Sequence, residues 1–82
     1  MTEADVKQLI LTIVEPLVAD QSAVSIITQK DNHFLNFNLS VAPEDIGRVI
    51  GKRGRVAQAI RTIVYSIRLD EDVRIRLNIV DD

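Results

Sequence analysis

The sequence predicts a two-layer α+β sandwich with the element order α-β-β-α-α-β. Three observations carry that prediction. Within residues 34–41, apolar and polar side chains alternate without a break from Leu35 to Val41, the pattern of a strand with one buried and one wet face. Residues 73–79 repeat the alternation, and residues 23–29 are rich in β-branched side chains. Apolar residues at helical spacing fill the stretch before these strands and the stretch between the second and third. The chain has 82 residues, 46% of them apolar, with three glycines and two prolines, which suits one small folded domain over residues 1–82.

The first helix is announced by Thr2 and Asp5, an N-cap residue followed by an acid in the first turn. Val6, Leu9, Ile10, Ile13 and Leu17 then recur at helical spacing, and Leu11, Val14 and Val18 widen the stripe. Pro16 costs a backbone hydrogen bond near the end of this helix and is expected to kink it. Residues 23–29 form the first strand, residues 30–33 a turn of hairpin length, and residues 34–41 the second strand. There Leu35, Phe37, Leu39 and Val41 point to the core, while Asn36, Asn38 and Ser40 point away.

Pro43, Glu44 and Asp45 open the next helix: proline fits a first turn, and acids there complement the helix dipole. Ile46, Val49 and Ile50 give it an apolar face, and Gly51 ends it. A third helix over residues 55–69 carries Val56, Ile60, Ile63 and Ile67 as its core stripe, with Ala57, Val64 and Tyr65 off it. The acidic loop Asp70-Glu71-Asp72 leads to the third strand, where Val73, Ile75, Leu77 and Ile79 alternate with Arg74, Arg76 and Asn78. A hairpin followed by a two-helix crossover sets the third strand parallel to the second, so the sheet is mixed. Its apolar face needs one layer of helices.

Charge is segregated along the chain. Net charge is −2, yet residues 46–69 hold six of the ten cations (Arg48, Lys52, Arg53, Arg55, Arg61, Arg68) and no acid. An acidic body with a local cationic segment is what an anion-binding patch requires. A solvated arginine-rich helix face is the plainer alternative.

Several function classes are excluded or disfavoured. There is no cysteine, hence no disulfide and no thiolate metal site. No apolar run approaches the ~18 residues of a membrane span, and the first residues lack the basic region of a signal peptide, so the expected location is the cytoplasm. His33 is the only histidine and falls in a turn, which leaves no metal cluster and no partner for a nucleophilic serine. Gly47 and Gly51 are separated by three residues, and Arg53 follows Lys52, so the run is not a nucleotide-binding P-loop. No enzyme and no cofactor are expected. A DNA-reading helix-turn-helix would need polar residues along its second helix, which here is mostly aliphatic.

What remains is the tetrad Gly51-Lys52-Arg53-Gly54, between two helices. Glycines let a nucleic-acid backbone approach without a Cβ in the way, and the helix that follows offers unpaired amides and a partial positive charge. Lys52 and Arg53 add two cations. The longer run Ile46-Gly47-Arg48-Val49-Ile50-Gly51-Lys52-Arg53-Gly54 resembles the GxxG signature of KH domains, and the element order is that of the bacterial type II KH fold. The likeness covers essentially the whole chain, and in length it is similar to the small bacterial single-KH-domain proteins of the KhpA-like group.

That resemblance implies a clamp on single-stranded RNA, with Gly51, Lys52, Arg53 and Gly54 on the backbone. Bases would lie in a groove lined by Ile46, Ile50 and Val56 on one side and the second strand on the other. Arg48 and Arg55 flank the loop as further RNA contacts or as solubilising arginines; Gly47 is either a point of ligand approach or a packing glycine. Arg74 and Arg76 read as solvated. Only Phe34, Phe37 and Tyr65 are aromatic, and Phe37 points to the core, so base stacking is minor and affinity should be modest and salt-sensitive.

A second class of function is protein interaction, with little intrinsic RNA affinity. Ala57, Val64 and Tyr65 would supply a dimer or partner face, against the alternative of ordinary surface exposure. The resemblance implies a homodimer, or pairing with a larger Jag-type RNA-binding protein, KhpB, and a role in post-transcriptional control or RNA chaperoning linked to cell-wall homeostasis and cell shape. Single-stranded DNA stays open as an alternative ligand.

Overall fold

Residues 1–80 are described by a computed structural model; Asp81 and Asp82, the last positions of the expected 1–82 domain, lie outside the described residues. The first helix, α1, spans Glu3–Val14. A capping box starts it: the Asp5 amide donates to the Thr2 hydroxyl at 3.2 Å, and the Thr2 amide donates to the Asp5 carboxylate at 3.1 Å. Pro16 does not kink α1. The helix has ended by then, and Pro16 sits in a separate 3₁₀ turn, Glu15–Leu17. Val6, Ile10 and Val14 are fully buried, and Val18 continues that line past the end of the helix, whereas Leu17, assigned by spacing to the stripe, is exposed.

Strands β1 (Ser25–Lys30) and β2 (Phe34–Ser40) form an antiparallel hairpin. Its turn is closed by Asp31, whose carboxylate accepts from the His33 amide at 2.9 Å and the Phe34 amide at 2.7 Å. Strand β3 (Arg74–Ile79) pairs with β2 in parallel, giving the order β1-β2-β3. The parallel partner is the consequence of the two-helix crossover, α2 (Ile46–Ile50) and α3 (Arg55–Tyr65). Helices cover one face of the mixed three-stranded sheet, in keeping with a KH-type α+β fold. Leu35, Phe37 and Leu39 of β2, with Ile26 and Leu77, meet Val6, Ile10, Val14, Val49, Ile60 and Val64 in one core.

The helix α3 departs from its sequence reading in two ways. It ends at Tyr65 and not near residue 69, because the Ser66 amide and hydroxyl both turn back to the Ile63 carbonyl, at 3.3 and 2.6 Å. Its buried line is Ala57, Ile60 and Val64, while Ile63 is 49% exposed. Ala57 and Val64 are therefore core residues and not a surface for partners. From Ile60 the positions three and four residues on are both aliphatic, so spacing alone does not choose between them. The observed rotation brings Arg61 and Tyr65 to the free edge of β3, where Arg61 Nε donates to the Leu77 carbonyl at 3.3 Å. The Leu77 amide donates to the Tyr65 hydroxyl at 3.2 Å. Among the described residues no helix is long and apolar enough to cross a membrane.

Candidate nucleic-acid interface

The tetrad joining α2 to α3 is a tight corner built by its two glycines. Gly51 ends α2 at φ 76°, ψ 174°, a region open almost only to glycine. Its amide donates to the Gly47 carbonyl at 2.8 Å. Lys52–Gly54 then make a single 3₁₀ turn, in which the Gly54 amide donates to the Gly51 carbonyl at 3.2 Å. Arg53 stands at φ 56° and Gly54 at φ 72°, so two successive residues adopt the left-handed conformation.

The three glycines of the segment have different reasons to be glycine. A Cβ on Gly51 would come within 2.4 Å of Val56 Cγ2, so this position is dictated by packing as well as by its backbone angle. Gly54 has open space around it, and only its φ demands glycine. Gly47 has neither constraint: it is helical, and a Cβ there would meet nothing within 4 Å. The packing alternative for Gly47 is thereby removed. Its bare backbone faces open space one turn before the corner.

Electrostatics at the corner are unbalanced. Lys52, Arg53 and Arg55 are exposed, and the first turn of α3 contains no acid. Gly54 is the N-cap of α3 and has no side chain to cap it. Cations crowd the positive end of a helix that ordinarily attracts anions, an arrangement that an incoming anion relieves.

Arg48 is differently placed. Its Nη1 donates to the Asp45 carboxylate at 2.8 Å, while much of the guanidinium stays in water. Asp45 itself is fully buried, and sequence reasoning assigned it only a dipole role. Its two oxygens accept from the Ala19 and Asp20 amides, each at 3.0 Å. These backbone bonds are the largest cause holding the Asp45 carboxyl below its ordinary value of 3.8; burial opposes them and Arg48 assists. Asp45 pins the start of α2 to the segment before β1. No short-range pattern signals this, since its partners are backbone amides 26 and 25 residues away.

Ile46, Ile50 and Val56, the expected groove residues, are half-buried around the corner, and Val49 beneath them is fully buried. β2, the strand expected to line the far side of the groove, is the central strand of the sheet. That strand is hydrogen-bonded on both sides; the outer strands are β1 and β3, and on the β3 edge the Leu77 backbone is already held by Arg61 and Tyr65. Tyr65 stays 47% exposed, and His33 is an exposed turn residue.

Residues 7–79 match the family model described as KhpA/KhpB, KH domain. The chain is 53% identical over 78 residues to the RNA-binding protein KhpA of Lactiplantibacillus plantarum, covering 95% of this chain and 92% of the relative. It is 48% identical over 75 residues to the protein of that name from Listeria monocytogenes, covering 92% and 99%. The Streptococcus pneumoniae protein of that name is 44% identical over 62 residues, covering 76% and 78%. No solved structure gives a significant match. The family is one of KH-domain RNA-binding proteins and not of enzymes, and with the match running from α1 to the end of β3, this chain belongs to the KhpA/KhpB KH-domain family.

Proposed function

We propose that the chain binds single-stranded RNA, gripping the sugar-phosphate backbone at Gly51-Lys52-Arg53-Gly54. The observation that carries this is the uncapped, acid-free start of α3 beneath three exposed cations, Lys52, Arg53 and Arg55. The open space at Gly47 lets a strand pass close to α2, and the half-buried Ile50 and Val56 offer an apolar floor to bases. The relatives' name supports RNA as the ligand.

The test is the pair K52D and R53D measured against a tetranucleotide RNA and a DNA of the same sequence. Aspartate tolerates the left-handed backbone at position 53, so the fold should hold. Binding at about 0.15 M salt should be abolished while circular dichroism stays unchanged. Retained binding overturns the loop reading, and preference for the DNA strand overturns RNA as the ligand.

A single loop with few cations gives modest affinity, so a second copy or a larger KhpB-type partner would raise it by avidity. With Ala57 and Val64 in the core, the face available for such pairing centres on Ile63 and Tyr65, 49% and 47% exposed. In that reading the chain is a cytoplasmic RNA-binding subunit in post-transcriptional control.

A further inference from the structure

The helices leave one whole face of the sheet bare, and its composition is unusual. The register sets Asn38 beside Asn78, Asn36 beside Arg76, and Phe34 beside Arg74. Asparagine is disfavoured in strands, yet three occupy adjoining positions here. Asn78 Nδ2 donates to the Asn38 carbonyl oxygen at 3.0 Å and to that of Asn36 at 3.4 Å, so the amides form one linked patch. The Arg76 guanidinium lies over the Phe34 ring, 3.9 Å from its centroid. No strand residue directed to this face is an acid, although the chain carries twelve.

Each of these features has a use toward a nucleic acid. A guanidinium already stacked on a ring is held flat, with its second face free for a base. Linked amides offer donors and acceptors to base edges. Two exposed arginines without a neighbouring acid on the sheet face suit phosphates. An open depression of about 1240 Å³ lies over the same corner, bordered by Phe34, Arg74 and Arg76 and by the end of α3. Glu71 and Asp72 also border it, and Glu71 is paired with Lys30. A second copy fits the face poorly, because a two-fold pairing would bring four arginines together with no acid between them.

We infer that the bare sheet face is a second contact surface for single-stranded RNA, with Phe34 and Arg76 as a stacking platform, Arg74 on phosphate and the three asparagines on base edges. This rests on the RNA reading above. It makes the domain two-sided: a strand longer than the loop can hold would engage the sheet as well.

The experiment compares a tetranucleotide RNA with a single strand of about twelve nucleotides, against wild type, K52D/R53D and R74E/R76E. R74E/R76E should lose about tenfold or more in affinity for the longer strand and keep its affinity for the tetranucleotide. The salt slope for the longer strand should fall by about 0.7, for the one phosphate contact made by Arg74. In the wild type, the longer strand alone should move the side-chain amide resonances of Asn36, Asn38 and Asn78, a readout that needs no variant to fold. Unchanged long-strand affinity in R74E/R76E with unmoved amides overturns the inference and leaves the loop reading standing. No binding of either RNA by the wild type overturns both. Amide shifts that follow protein concentration without RNA assign the face to a second copy and overturn the inference.

Discussion

Gly51 packs so tightly beneath Val56 that a methyl group on its α-carbon would stand 2.4 Å from Val56 Cγ2 and 3.0 Å from the Val56 amide nitrogen. Val56 is β-branched and cannot swing clear, and φ 76° with ψ 174° is itself a glycine conformation. Gly51→Ala should therefore cost about 3 kcal/mol or more, a large part of the stability of a small domain. Thermal or urea unfolding measures it. A cost below 1 kcal/mol would mean the corner is far looser than its geometry.

Gly47→Ala tests the opposite case. The residue is helical and unobstructed, so alanine should stabilise the fold by roughly 0.5–1 kcal/mol. A loss of RNA affinity in this variant, alongside a raised Tm, isolates close ligand approach from folding. An unchanged affinity would remove Gly47 from the interface.

Arg53 separates charge from strain in the same way. It is the one non-glycine residue with positive φ among those described, a conformation that costs an ordinary side chain about 1–2 kcal/mol. Arg53→Gly should raise stability by about 1 kcal/mol while weakening RNA binding and flattening its salt dependence. If stability falls, the arginine side chain makes contacts that hold the turn.

How much of this was legible in the sequence depends on the reach of each signal. The alternation of β2 located its buried face correctly, because period two is a property of neighbours in the chain. The tetrad between two helices, with glycines at its ends and cations within it, was readable for the same reason. The rotation of α3 was not: Ile63 and Val64 are both aliphatic, and only the packing of Val64 into the core across the fold distinguishes them. Asp45 was missed entirely as a buried anchor. Its role is defined by two amides on a distant segment, which carry no side-chain signature.

That anchor makes stability depend on pH in a definite direction. The folded Asp45 carboxyl lies below its ordinary value of 3.8, so its contribution is fully present above that value and is lost as pH falls through the lowered folded value. Asp45→Asn leaves one of the two amides facing an NH₂ group and should lower Tm near neutral pH by about 5–10 °C. The gap between wild type and variant should close as pH drops below 3.8. A pH-independent gap would show that packing, and not the ionised carboxylate, is what the substitution removes. Arg48→Ala should cost much less, since Asp45 keeps both backbone donors.

The exposed flank of α3 yields two variants that separate fold from assembly. Tyr65→Phe removes the hydroxyl that meets the Leu77 amide on the open edge of β3, and should cost about 0.5–1.5 kcal/mol without altering oligomeric state. Ile63→Asp touches no core position and should leave Tm within a few degrees. If the chain pairs through this flank, the aspartate places a charge in an apolar contact and sedimentation should show the dimer replaced by monomer. A wild type that sediments as a monomer at high concentration would remove self-association through α3. In that case, avidity could come only from a different partner or from a second contact surface on the same domain.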